Sequence, residues 1–145
     1  MKIIIEVIPH KSQRYDTCGD WQWTEFVEGT SALPYAALRI RVSDTGNWRS
    51  NMLIACHELV EAVLCKAHGI TGEQVDAWDI TGPGKYLDEP GDHANSPYRW
   101  EHCVAEQVER MLAREMIAWQ EHEAHIAELE RKDENLTGSS LAPGA

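Results

Sequence analysis

No stretch of these 145 residues is apolar for long enough to cross a bilayer. No two cysteines stand in the CxxC spacing of a zinc knuckle or a redox pair. No internal repeat is present, and no cluster of Lys and Arg interrupts the acidic composition. The first residues, Met1-Lys2-Ile3-Ile4-Ile5, meet Glu6 before the apolar core of a signal peptide can form. These absences predict a cytoplasmic protein with no membrane partner. Lys and Arg together number 13 against 24 Asp and Glu, a net charge of −11. Scattered positive residues cannot neutralise a run of phosphates, so nucleic-acid binding is not expected. Cys18, Cys56, Cys65 and Cys103 read as free thiols in a reducing compartment.

What is present is an α+β pattern. Residues 2–8 are rich in β-branched side chains and stop at Pro9, which predicts a strand. Trp21 and Trp23 at period two predict a second strand over 20–27, and Gly29, Ser31 and Pro34 mark a loop. Leu38, Ile40 and Val42 alternate with polar residues, so a half-buried strand over 38–43 points them inward. After the turn Asp44–Asn47, a helix from about Arg49 to His68 is apolar almost all round, which predicts a central, largely buried element stopped at Gly69. A short helix over 71–80 anchored by Val75, Trp78 and Ile80, a long loop over 81–97, and a long helix over about 98–132 complete the pattern. The expected architecture is a small N-terminal antiparallel sheet packed on the central helix and the long C-terminal helix. Residues 1–132 are expected to form one domain and 133–145 a disordered tail.

The chemistry concentrates in Cys56-His57-Glu58-Leu59-Val60-Glu61. Residues four apart in a helix share a face, so His57 and Glu61 converge on one point among apolar neighbours. A carboxylate in such a place needs its charge compensated. A divalent metal does this, with neutral imidazole as the natural companion ligand. The second helix repeats the spacing at His102 and Glu106, and Glu109 continues that stripe. If the helices pack on these faces, His57, Glu61 and His102 form a two-imidazole, one-carboxylate ligand set for zinc, with Glu101 or Glu106 as alternatives to His102. Glu58 lies about 100° around the helix from His57, where it can act as general base toward a water. Among other residues, His93 reads as a loop histidine near the site, Asp76 and Asp79 as possible orienters of the ligand rings, and Tyr98 as a candidate oxyanion donor or core residue. Cys56 and Cys103 adjoin proposed ligands but point away. His122 and His125 fall on the charged outer half of the last helix.

A strand, a short loop and a helix bearing His57-Glu58-x-x-Glu61 resemble the core of zincin-type metallopeptidases over roughly residues 38–116. That family carries His-Glu-x-x-His, so Glu61 stands where its second histidine would be. The resemblance implies a zincin-like fold, a metal-dependent peptidase activity and a third ligand from the later helix, the place His102 occupies. Over most of its length the chain is also similar to small uncharacterised proteins of phages and prophages. The residues behind that likeness are Gly19-Asp20-Trp21, His57 to Ala62, Gly69-Ile70, Val75-Asp76-Ala77, Pro97-Tyr98 and Glu101-His102, and it implies the host cytoplasm as the location.

Three functions compete on the sequence. The first is a zinc-dependent hydrolase with Glu58 as base, the strand at 38–43 offering its edge to a peptide. The second is a metal-stabilised accessory protein that binds a host protein without catalysis. The third is a metal-free scaffold whose buried histidines and carboxylates satisfy one another. Oligomeric state is left open.

Overall fold

Seven residues, Lys2–Ile8, form β1 and end where Pro9 removes the next backbone donor. Strand β2 covers Gly19–Phe26 and β3 covers Tyr35–Ser43. The computed structural model describes the backbone of residues 1–26 and 35–138, so the loop marked by Gly29, Ser31 and Pro34 lies outside the described residues, as does the end of the tail from 139. The class is α+β. The sheet is mixed, not antiparallel as expected. Its order is β1-β3-β2, with β1 parallel and β2 antiparallel to β3. The parallel pair arises because β1 and β3 are separated by β2, which returns the chain to the end from which β1 started.

This order corrects a second expectation. The strand containing Leu38–Ser43 is central and hydrogen-bonded on both sides, so it offers no edge to a peptide; β1 and β2 are the edges. A cleanly alternating pattern registers which face is buried but carries no information about neighbours. The alternation itself holds: Leu38, Ile40 and Val42 are fully buried, and their register partners Trp23 and Trp21 on β2 belong to the same face.

Helix α1, Trp48–His68, packs on β2 and β3. Asn47 caps its start by accepting from the Arg49 N–H, and Gly69, at φ 77°, ends it in the left-handed region, with its N–H turned back to Cys65 and Lys66. Burial is confined to one side, through Asn51, Ala55, His57, Glu61, Ala62 and Cys65. Val63 is 47% exposed and Met52 also faces solvent, so α1 is less enclosed than its composition suggests. A three-stranded sheet is too narrow to cover an apolar helix all round.

Helix α2, Gly72–Asp76, begins with a capping box in which Thr71 and Gln74 satisfy each other's backbone N–H groups. A π-helical turn, Ala77–Thr81, follows it, and short 3-10 turns at Pro83–Tyr86 and Pro90–Asp92 give form to the segment expected as loop. Helix α3 runs Arg99–Gly138, beyond the expected end at 132. Two compact units are distinguished, Met1–Arg110 and Met111–Ala145. The first contains the sheet, α1, α2, the turns and the first three turns of α3. The second is the continuation of the α3 helix to Gly138. Among the described residues no helix is long and apolar enough to cross a membrane.

Candidate metal centre

His57 and Glu61 project from the buried side of α1, one turn apart, and His102 comes from the first turns of α3. The structure brings these three together, as the spacing predicts. His102 Nδ1 lies 2.9 Å from Glu61 Oε2 and 3.2 Å from His57 Nε2, and His57 Nε2 lies 3.6 Å from Glu61 Oε2. The three atoms thus form a small triangle. Metal–ligand bonds of about 2.0–2.2 Å place neighbouring donors roughly 3.3–3.6 Å apart at the tetrahedral angle, close to this triangle's edges. The two imidazole planes meet at 64° with centroids 4.8 Å apart, so the rings are not stacked and their nitrogens can aim at a common point.

Two of the three donor groups are hydrogen-bonded from the far side, and His102 has only a longer ionic neighbour there. His57 Nδ1 is 2.9 Å from Glu109 Oε2, the Trp21 indole N–H donates to Glu61 Oε1 at 2.8 Å, and His102 Nε2 lies 3.8 Å from Asp92 Oδ1. A partner on the distal nitrogen fixes which ring nitrogen faces inward. The His102 ring also rests on the backbone of Gly91, where a Cβ would collide with it.

Charge is balanced within the cluster. Glu61 is 5% exposed. Burial alone pushes its carboxyl upward, but hydrogen bonds from His102, His57 and Trp21 outweigh this and hold it down at about 2. Burial lowers His57, and the hydrogen bonds to Glu109 and Glu61 reverse that and raise it to about 10. His102 is raised, the Glu61 contact overcoming its desolvation. Glu109 is lowered by its hydrogen bond with His57. Two carboxylates thus face two imidazoles with high proton affinity. One divalent ion carries the charge of those two protons.

Glu58 occupies the wall of the same cleft, its carboxyl packed over the backbone of Gly19 so closely that a Cβ there would overlap it. Desolvation, then the negative charge of Glu61, push its pKa well up. The cleft encloses about 720 Å³ and is lined from β2 by Gly19, Asp20 and Trp21, from α1 by His57, Glu58 and Glu61, and from α3 by His102 and Glu109.

Other sequence candidates are committed to other partners, although Asp76, Asp79, Tyr98 and Glu106 line the same cleft. Glu101 turns to His68, with Oε1 2.6 Å from Nδ1, and Glu106 pairs with Arg110, so neither replaces His102. Asp76 and Asp79 do not orient the ligand rings. Asp76 accepts from Arg14, and Asp79 accepts from the Tyr98 hydroxyl at 2.8 and 2.9 Å. That bond commits the Tyr98 proton to Asp79, whose pKa burial raises to about 6. Tyr98 is therefore a buried core residue and not a free oxyanion donor. His93 packs its ring 5.5 Å from that of Trp78. Cys56 and Cys103 are half-buried and do not line the cleft. The side chains of His122 and His125 lie outside the described residues.

Sequence reasoning gave Glu109 only a place on the stripe, although its spacing of seven from His102, two helical turns, was the signal for a shared face. It gave Trp21 only a place on the second strand. The glycines at 19 and 91 left no signal, because close approach of a side chain to backbone has no local pattern. No protein-family model, no curated protein and no solved structure gives a significant match to this chain.

Proposed function

We propose that His57, Glu61 and His102 hold a divalent metal, zinc by ligand chemistry, and that the cleft hydrolyses a peptide with Glu58 as general base. The observation that carries this reading is the triangle of two nitrogens and one oxygen with edges of 2.9–3.6 Å, buried and braced from behind. With both inward nitrogens protonated, two N–H groups stand 3.2 Å apart with Glu61 Oε2 as their shared acceptor. A single central cation satisfies all three donors at once.

When bound, zinc supplies Lewis acidity and lowers the pKa of a water to about 7. The protein's own part is the handling of the proton. Glu58, whose carboxyl burial raises, lines the same cleft and is the group assigned to take a proton from water and return it to a leaving amine. Trp21 fixes the Glu61 carboxylate, and Glu109 fixes the His57 ring. Asp16, Asp88 and Asp92 on the walls favour a peptide with a basic side chain near the scissile bond. The likeness to zincin-type metallopeptidases, and with it a cytoplasmic site of action, belongs to this same proposal.

A second reading, a metal-stabilised protein that binds a host protein without catalysis, is favoured by one observation. The Tyr98 hydroxyl, a neutral donor on the cleft wall, is already engaged by Asp79.

Metal analysis of purified protein, with anomalous diffraction at the zinc edge, tests the shared premise. We expect about one equivalent bound by wild type, and less than roughly a tenth of that by Glu61→Ala. Glu58→Gln then separates the two readings: metal content stays unchanged, and turnover of a basic peptide is lost if the cleft is catalytic. A metal-replete sample with the triangle empty ends both.

A further inference from the structure

An open strand edge lies in β1. Among the described residues it pairs with β3 on one side only and ends the sheet. Ile3, Ile5 and Val7 face the same side of the sheet as their register partners Leu38, Ile40 and Val42. Those partners are fully buried, whereas Ile3 and Ile5 are 44% exposed, Val7 50% and Met1 81%. Four apolar side chains at period two therefore form an uncovered ledge beside a row of edge N–H and C=O groups. Long apolar edges of this kind are normally blunted by charge, proline or a bulge. Residues 2–8 contain no proline, and of their charged residues, Lys2 and Glu6 both point to the opposite face.

The geometry points to β1 as a self-complementary edge that pairs antiparallel with β1 of a second copy, joining two three-stranded sheets into one of six strands. Antiparallel pairing that keeps apolar residues on one face restricts the register to shifts of two. Only one of these sets unlike charges opposite each other. In it Lys2 faces Glu6 of the second copy and Glu6 faces Lys2, a two-fold axis passes through Ile4, Ile3 faces Ile5, and Met1 faces Val7. Shifting by two in either direction sets Lys2 against an isoleucine. Shifting by four sets Lys2 against Lys2 or Glu6 against Glu6. Glu6 already meets Arg39 at 3.3 Å and has Arg41 as its register partner, so Lys2 of the second copy would extend an alternating charged row across the junction. The arrangement is isologous, the commonest form of a closed dimer. A single strand pair falls short of the roughly 1,600 Å² of a standard interface, so the association is expected to depend on concentration.

Sedimentation velocity on the full chain from about 1 µM to about 1 mM reads the association. Lys2→Glu alone should weaken the dimer by at least about tenfold, because like charges then face each other. The double variant Lys2→Glu/Glu6→Gln removes that repulsion without setting a cation against Arg39, and should recover at least about threefold of the loss. Recovery in the double variant shows that Lys2→Glu failed through its charge and not through folding. Ile4→Cys should cross-link to its own copy, and Ile8→Cys should not. A monomer throughout the range overturns the proposal, as does a dimer indifferent to Lys2→Glu, a double variant that stays as weak as Lys2→Glu, or cross-linking through position 8 as readily as through position 4.

Discussion

The two oxygens of Glu61 face different neighbours, one turned to the imidazoles and the other to the Trp21 indole. Trp21→Phe removes the indole donor and leaves a smaller aromatic ring in its place, so zinc affinity should fall about 10- to 100-fold in a competition titration with a chromophoric chelator. Gly19 tests Glu58 without altering its chemistry. In Gly19→Ala the new Cβ displaces the Glu58 carboxyl, and hydrolysis should drop by at least about tenfold with metal content unchanged. Proton binding gives a test of opposite signs. Without metal, His57 is raised from 6.5 to about 10, so its contribution to stability is complete below about 6.5 and fades as pH rises through 10. Glu61 is lowered from 4.5 to about 2, so its contribution is complete above about 4.5 and fades as pH falls through 2. Zinc must displace the protons, and its affinity should therefore rise between pH 6.5 and 10 while the stability of the metal-free protein declines. Thermal denaturation with and without zinc across that range measures both trends.

Among the elements, α1 was the most legible, because its start at Asn47, its stop at Gly69 and the His57/Glu61 spacing are all local signals. The stop can be checked directly. Nothing lies within 4 Å of a Cβ at Gly69, so Gly69→Ala meets only the backbone penalty of a positive φ. It should cost about 1 kcal/mol and roughly 3 °C in Tm, with zinc content unaffected. The strands were legible as strands, since alternation at Leu38, Ile40 and Val42 reports one buried face. Their order was not, because pairing depends on how distant segments meet and β3 alternates in the same way at an edge or a centre. The convergence of His102 on α1 followed from matching the His-x-x-x-Glu pattern on two apolar faces. The turning away of Glu101 did not, as it depends on where His68 happens to stand.

For the molecule as a whole, the His57–Glu61–His102 cluster, the proposed metal site, joins α1 to α3 across about 45 residues of chain, the separation of His57 from His102. Chelation should therefore lower Tm and also loosen the start of α3, seen as faster amide exchange around His102. The net charge of −11 reinforces the acidic walls of the cleft, so capture of a basic peptide should slow as salt is raised, with little change in the zinc-dependent Tm. One further contact governs the cleft. Arg14 reaches Asp20 on β2 through Nε and Nη2, and Asp76 on α2 through Nη1 and Nη2, at 2.6–3.0 Å. A planar guanidinium can grip two carboxylates on separate edges, whereas a lysine ammonium offers one point. Arg14 is in this sense a spacer of fixed length between two walls, and shortening it would let the jaws breathe and trade a rigid aperture for one that opens and shuts.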